Sequence, residues 1–245
     1  MRVTFFSIFI FIHLFFFGCS SKKDPCKIAL DPTWFPLDLA NKEANMSAFS
    51  QELVEKIASR KGLNISLIVT GWESAFDRLE KKEFDGFLTF IEPYAFNLQT
   101  YRFSHPYFLL GPVVVLKETN KLYLENKLQE KEIAVFSNQD QQTLMDAYPK
   151  VLVRSYGSIP KALTDVTEEV IDGAFLSSIL ASSYITDIYH GHLEVFTKPF
   201  TSKGLRLITS AQSSPQLIDQ FNKGLEELKA SGEYEKLLIK WKLIN

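Results

Sequence analysis

The chain has 245 residues, which is enough for one large domain or for two small lobes with real hydrophobic cores. Hydrophobic residues make up 46% and charged residues 23%, close to an ordinary globular protein, so wholesale disorder and a polytopic membrane protein are excluded. The formal charge of −2 and the absence of a long basic run exclude nucleic acid as an expected partner.

The N-terminus has the pattern of an export signal. Arg2 precedes an apolar stretch, Val3 to Phe17, that is too short to span a bilayer comfortably, and Gly18 and Cys19 follow it. A small residue directly before a cysteine at this place resembles the lipobox of bacterial lipoproteins. The resemblance implies cleavage of residues 1–18 and acylation of Cys19, with palmitate expected among the attached chains and residues 19–26 as a lipidated tether. An uncleaved N-terminal anchor is the alternative.

The first half of the mature chain alternates between strand and helix patterns. Hydrophobic periodicity predicts a strand at KIALD, a loop at PTWFPLDL, a helix from Ser47 to Gly62, a strand at LNISLIV, a helix over 74–82 and a strand over 84–90. Such alternation indicates an open parallel sheet that is covered on both faces.

The same alternation resumes in the second half. Strands are predicted at EIAVF, VLVRS and VIDGAFL, with helices around residues 142–147, at residues 159–163 and at SILASSYI. Between the two series, PYFLLGPVVVLK carries Gly111 and Pro112 where the chain leaves one sheet, and GLRLITS later supplies another strand before two closing helices. We therefore predict two α/β lobes joined by two crossing segments: residues 27–109 plus 203–245 as lobe 1 and residues 110–202 as lobe 2.

Four segments together resemble a known family. They are DPTWFPLDL, AFSQELVEKIASRKGLNISLIVTGWESAFDRLEKKEFDGFL, FSHPYFLLGPVVVLK and NKGLEELKASGEYEKLLIKWKL. In this order and spacing they are similar to the periplasmic solute-binding proteins of bacterial ABC importers, in particular the polar amino-acid type.

The resemblance implies the periplasmic binding protein-like II fold, in which two Rossmann-like α/β lobes with a two-segment hinge close over a solute. It implies an extracytoplasmic, lipid-anchored monomer that delivers an amino acid or a related small solute to an ABC permease, without catalysis and without a cofactor.

The resemblance also places ligand-binding residues in the loops beyond the strand ends. Asp31 and Trp34 would lie at the mouth of the cleft and Trp72 on its opposite wall, with the two indoles enclosing the solute side chain; packing in a core is the alternative for each tryptophan. In the family a Gly, a Thr and then an Arg follow the third strand, and the Arg binds the α-carboxylate of the ligand.

This chain departs from that pattern. Phe90 stands at the Gly position, Glu92 at the Thr position and Asn97 at the Arg position, so that an amide and a like charge replace the carboxylate-binding group. In lobe 2, Asn138-Gln139 stands at the Gly-Thr turn, and Ser177 stands where an Asp usually pairs with the α-ammonium group.

The predicted cleft is therefore aromatic, acidic and lined with amides. Its members are Asp31, Trp34, Trp72, Phe90, Glu92, Asn97, Gln139, Asp140 and Ser177. Such a site suits a cationic or neutral polar solute and does not suit an acidic one.

Other kinds of chemistry have less support. His190 and His192 have a spacing that can chelate a metal, but the pattern is more typical of an exposed turn, so that no metal site is predicted. Cyclohexadienyl dehydratases resemble these receptors, and Glu92 could serve such an enzyme as general acid; their substrates carry carboxylates, however, which again need the missing Arg. A sensory or surface-interaction module that has lost solute binding is the third possibility.

Overall fold

The computed structural model describes residues 24–118 and 128–243, and it contains two α/β lobes. The strands are β1 (Cys26–Leu30), β2 (Ile65–Val69), β3 (Gly86–Thr89), β4 (Tyr101–Phe103), β5 (Phe108–Leu109), β6 (Pro112–Lys117), β7 (Glu132–Val135), β8 (Leu152–Ser155), β9 (Gly173–Ser177), β10 (Leu193–Val195) and β11 (Gly204–Ser210). The helices are α1 (Glu43–Lys61), α2 (Trp72–Glu80), α3 (Asn138–Ala147), α4 (Ile159–Thr167), α5 (Ser178–Asp187), α6 (Gln216–Ala230) and α7 (Glu233–Lys240).

The predicted signal segment and Cys19 lie outside the described residues. Among the helices of residues 24–118 and 128–243, none combines the length and the apolar character that a membrane span requires.

The sheet of lobe 1 has the strand order β2-β1-β3-β11-β4, and β5 pairs with β11. Because β1 runs parallel to both β2 and β3, the carboxyl ends of these three strands meet at one edge. Asp31 and Phe90 directly follow β1 and β3, and Trp72 begins helix α2 after β2. This edge is therefore where a ligand is expected in an open α/β sheet.

The sheet of lobe 2 has the strand order β10-β6-β9-β7-β8. Strand β7 is parallel to β8 and β9, so helices α3 and α5 both begin at one edge of this sheet. The apolar segment from Tyr107 to Lys117 is divided between the lobes, because β5 belongs to the first sheet and β6 to the second. The predicted fold class is confirmed, and the lobe boundaries stay a prediction.

Aromatic packing forms much of the core of lobe 1. The ring of Phe49 on α1 lies 5.9 Å from that of Phe108 and 5.8 Å from that of Tyr234, and both are edge-on. Helix α1 ends at Gly62 in the left-handed conformation, as predicted, but it begins at Glu43 and not after Ser47. Ser47 is buried within the helix, where its side chain is bonded to the loop before it and cannot serve as the N-cap.

Helix α5 packs against both lobes. Its side chains Ala181 and Ile185 belong to the core of lobe 2, whereas Ile179 belongs to the core of lobe 1. Near its end, the ammonium of Lys42 lies 2.8 Å from a carboxylate oxygen of Asp187 and holds the pKa of that carboxyl below its usual value. The lobes are thus joined by a packed helix as well as by the chain.

The two connecting segments run side by side. The backbone N–H of Leu110 donates to the carbonyl of Lys203 at 2.8 Å. A Cβ at Gly111 would lie 2.6 Å from the hydroxyl oxygen of Thr201, so only glycine fits this close approach. A hinge motion would therefore involve both segments together.

Candidate functional site

An aromatic pocket of about 530 Å³ lies at the edge of lobe 1 where the parallel strands end. The indole of Trp72 stacks on the ring of Phe90 with centroids 4.6 Å apart, and the ring of Phe76 meets the indole edge-on at 5.0 Å. The lining residues of this aromatic pocket are Trp72, Phe76, Phe90, Ile91, Glu92, Tyr94, Phe96, Asn97, Tyr101 and Lys203. A site of this size and composition is typical of small-molecule binding.

The loop after β3 forms the rim of the pocket. The backbone N–H groups of Tyr94 and Asn97 donate to the carbonyls of Glu92 and Tyr94, so the loop is a tight turn. The rings of Tyr94 and Phe96 stack on each other with centroids 5.7 Å apart, yet they are 53% and 78% exposed. The turn therefore holds two aromatic rings in solvent beside the pocket.

The side chain of Asn97, which stands at the family's Arg position, is hydrogen-bonded within this turn. Its Nδ2 donates to the carbonyl of Glu92 at 2.7 Å, and its buried Oδ1 has no hydrogen-bond partner among the described residues. The amide thus stabilises the loop, and one of its two N–H donors is used there.

The contacts of Glu92 correct the expectation that its charge is unpaired in the cleft. One of its carboxylate oxygens accepts the backbone N–H of Gly204 at 2.9 Å, and the other lies 3.4 Å from Nη2 of Arg206. The side chains of Glu92 and Arg206 are only 14% and 8% exposed. The expected uncompensated negative charge in the cleft is therefore wrong, because Arg206 neutralises it inside lobe 1.

Arg206 is a residue that sequence reasoning missed. Its guanidinium also donates to the carbonyls of Ser104 and Ser202, which fixes it beneath the connecting segments. The sequence does indicate a buried ion pair here, because a single arginine inside the apolar strand GLRLITS needs a buried partner of opposite charge.

Asp31 has a structural part in the site. Its Oδ1 accepts from the backbone N–H and the hydroxyl of Thr33, and its Oδ2 accepts the backbone N–H of Trp72 at 2.7 Å. A carboxylate at the first N–H of α2 also complements the helix dipole. Asp31 thus fixes the backbone at Trp72, and in this structure its oxygens are already bonded.

Trp34 lies in the core of lobe 1. It is 2% exposed, and its indole N–H donates to the hydroxyl of Ser47 at 2.9 Å. The packing alternative describes Trp34 in this structure, and the predicted pair of enclosing tryptophans does not form. Trp72 is the tryptophan of the pocket.

The predicted residues of lobe 2 lie at two helix N-termini. Gln139 and Asp140 are in the first turn of α3, where Ser137 accepts the N–H of Asp140 and donates to its carboxylate. Ser177 caps α5 by accepting the N–H of Leu180. The structure thus brings Trp72, Phe90, Glu92 and Asn97 together in one pocket, whereas Gln139, Asp140 and Ser177 stand at the strand ends of the other lobe.

Several pocket residues were not predicted. Phe76 follows Trp72 by four residues on a helix, and Tyr94 and Phe96 flank Ala95 in the rim turn, so their types and spacing could have indicated them. Lys203 enters from the connecting segment, and no local pattern pointed to it. Within residues 24–118 and 128–243, no cluster of three or more His, Cys, Asp or Glu side chains is placed to hold a metal ion.

Residues 26–244 match the family described as bacterial extracellular solute-binding proteins, family 3. A probable histidine-binding protein of Campylobacter jejuni is 21% identical, with 89% of this chain and 84% of the relative covered. A probable amino-acid ABC transporter-binding protein of Haemophilus influenzae is 24% identical, with 87% and 83% covered.

Among solved structures, an ancestral cyclohexadienyl dehydratase superposes with a TM-score of 0.71 at 17% identity, covering 89% of this chain and 92% of that one. This likeness concerns the fold. The family match, by contrast, extends over both lobes and the segments that connect them. The chain belongs to the bacterial extracellular solute-binding proteins of family 3.

Proposed function

We propose that this chain is an extracytoplasmic solute-binding lipoprotein of an ABC importer, which binds an amino acid or a related small solute between its lobes and delivers it to a permease. One observation carries the proposal: a solvent-open aromatic pocket lies at the strand ends of lobe 1, directly beside the connecting segments. The family, and the amino-acid binding named for the relatives above, support the solute class.

Closure of the lobes would complete the site. The pocket residues come from lobe 1 and from Lys203 of a connecting segment, so a solute bound there would have one side open. Rotation about the paired connecting segments would bring the first turn of α3 over it, beside the start of α5, which already packs on lobe 1 through Ile179. The closed form would then be the one that docks on the permease. Gln139, Asp140 and Ser177 are proposed to contact the solute only in that state.

The lipid anchor is a separate part of the proposal. We place Cys19 as the acylated N-terminus of a monomer held at a bacterial membrane and facing away from the cytoplasm. Cys19→Ser should release the protein from membranes, and mass spectrometry of the wild-type N-terminus should show the acyl chains. An unmodified Cys19 in a protein that still carries residues 1–18 would contradict this part.

The enzyme alternative loses its proposed acid. A general acid must be able to reach its substrate, but both carboxylate oxygens of Glu92 are engaged inside lobe 1, one with the backbone N–H of Gly204 and the other with Arg206. The geometry therefore weighs against a dehydratase-like role for this residue, although the fold is shared with such an enzyme.

A ligand panel tests the receptor function. The purified full chain should be stabilised against heat by at least one class among amino acids, polyamines, short peptides and aromatic acids, and calorimetry should confirm binding at one site per chain. Stabilisation by none of them, together with no copurifying ligand in native mass spectrometry, would favour a module that has lost solute binding.

A further inference from the structure

The charges around the aromatic pocket indicate a narrower class of solute. We infer that the solute has a flat apolar body and one anionic group, with the body against Trp72 and Phe90 and the anion at Lys203. This inference rests on the proposed receptor function and concerns the same site.

The apolar wall is the first part of the argument. The rings of Trp72 and Phe90 are half-buried and stacked, Phe76 meets the indole edge-on, and the backbone N–H of Trp72 is bonded to Asp31. A rigid pair of rings offers a flat surface at little cost in side-chain entropy. The exposed rings of Tyr94 and Phe96 extend this surface at the rim.

The three acidic groups expected to hold a cation already accept hydrogen bonds, Asp31 and Glu92 inside lobe 1 and Asp140 from the hydroxyl of Ser137. Both carboxylate oxygens of Asp31 accept hydrogen bonds within lobe 1, and Glu92 is bonded to the backbone of Gly204 and paired with Arg206. A cationic solute would find no free carboxylate among the pocket's lining residues. It would also have to displace an internal partner and leave a buried charge unpaired.

The remaining charge at the pocket is positive. Lys203 is exposed, it lines the pocket, and no carboxylate lies within ion-pair distance of its ammonium among the described residues. A lysine is a mobile point charge with three donors, so it can reach an anion without the fixed geometry that an arginine demands. The pocket thus attracts an anion and repels a cation.

These three features reverse the expectation drawn from the sequence, which favoured a cationic or neutral solute. The reversal has a physical cause. Glu92 does line the pocket, but Arg206 neutralises its charge, and Lys203 from the connecting segment adds a positive charge.

Calorimetry with matched indoles tests the inference. We expect indole-3-acetate to bind the full chain about tenfold more tightly than uncharged 3-methylindole, and tryptamine to bind more weakly still. Lys203→Gln should weaken indole-3-acetate about tenfold and leave 3-methylindole unchanged. Lys203→Glu should reverse the preference towards tryptamine.

Lys198→Gln is the matched control, because Lys198 is an exposed lysine on the same connecting segment and is not a lining residue of the pocket. It should leave all three affinities unchanged. The hydrogen bond between the segments uses the backbone carbonyl of Lys203, so both substitutions at this position should preserve the fold.

Two contrary results are distinguishable. Tighter binding of tryptamine, arginine or glutamate than of indole-3-acetate, or equal affinity in Lys203→Gln, would overturn the inference and leave the receptor function standing. Binding of no indole and no member of the ligand panel would overturn both.

Discussion

Both lobes are open α/β sheets, but the side chains at their strand ends have different roles. In lobe 1 the strand ends carry aromatic rings, while Asp31 and Glu92 are bonded inside the lobe. In lobe 2 the strands β7, β8 and β9 lead into three helices, and a serine caps each of them. Polar residues at strand ends are thus largely used to hold local structure, and the surface left open to a solute is mainly aromatic.

The buried ion pair of lobe 1 gives the largest expected effect. Arg206→Met should lower the free energy of unfolding by about 3 kcal/mol, because it leaves the carboxylate of Glu92 buried without its counter-charge. Urea unfolding followed by circular dichroism measures this change. Adding Glu92→Gln should recover part of the loss, since an amide still accepts the N–H of Gly204.

Arg154→Met in lobe 2 is the matched comparison. Arg154 pairs with Glu132 at 2.7 Å on an exposed strand, where solvent screens the pair, so its loss should lower the free energy of unfolding far less than Arg206→Met does. Equal losses of unfolding free energy for Arg206→Met and Arg154→Met would contradict the expectation that the buried pair of lobe 1 contributes more than the exposed pair of lobe 2.

The second-largest loss of stability is expected at Asp31, which accepts the backbone N–H of Trp72. Asp31→Ala removes an acceptor at the start of α2 and should lower the free energy of unfolding by about 2 kcal/mol. Because Asp31 also fixes the backbone at Trp72, the same change should weaken solute binding. Thermal unfolding and calorimetry on one preparation measure both; full stability with unchanged affinity would contradict the structural part assigned to Asp31.

The cap of α3 in lobe 2 gives a smaller effect. Ser137→Ala removes the acceptor for the N–H of Asp140 and should cost about 1 kcal/mol. Urea unfolding checks the value, and Ser137→Thr should retain most of the stability because it keeps the hydroxyl. A loss of unfolding free energy well above that of Asp31→Ala would contradict the expected order, in which the polar contacts of lobe 1 contribute more than the helix cap of lobe 2.

The contact between the lobes gives the smallest effect, which depends on pH. The pKa of Asp187 is lowered by Lys42, so this interaction stabilises the fold above the ordinary carboxyl pKa and is lost as the pH falls below it. We expect Lys42→Gln to reduce stability at pH 6 more than at pH 3. Urea midpoints at the two pH values measure this, and an equal loss at both would contradict it.

The fold could be predicted almost entirely from sequence, because alternating strand and helix patterns and the junction at Gly111 and Pro112 are local signals. The site could be predicted only in part. Trp72 and Phe90 follow strands and were found, whereas the part played by Glu92 depends on Arg206, which is 114 residues away along the chain. Trp34 is misplaced because its packing in the core of lobe 1, where it also bonds to Ser47, is a tertiary contact that no periodicity reveals.

The central claim is that lobe 1 supplies the main solute-binding surface. It is tested most directly by calorimetric measurement of Kd for the best solute of the ligand panel, with Phe90→Ala compared with Gln139→Ala. We predict a loss of about tenfold or more for Phe90→Ala, since a stacking wall is removed, and less than about threefold for Gln139→Ala, since an exposed amide is lost. The reverse order, with Gln139→Ala the more damaging change, would contradict the account.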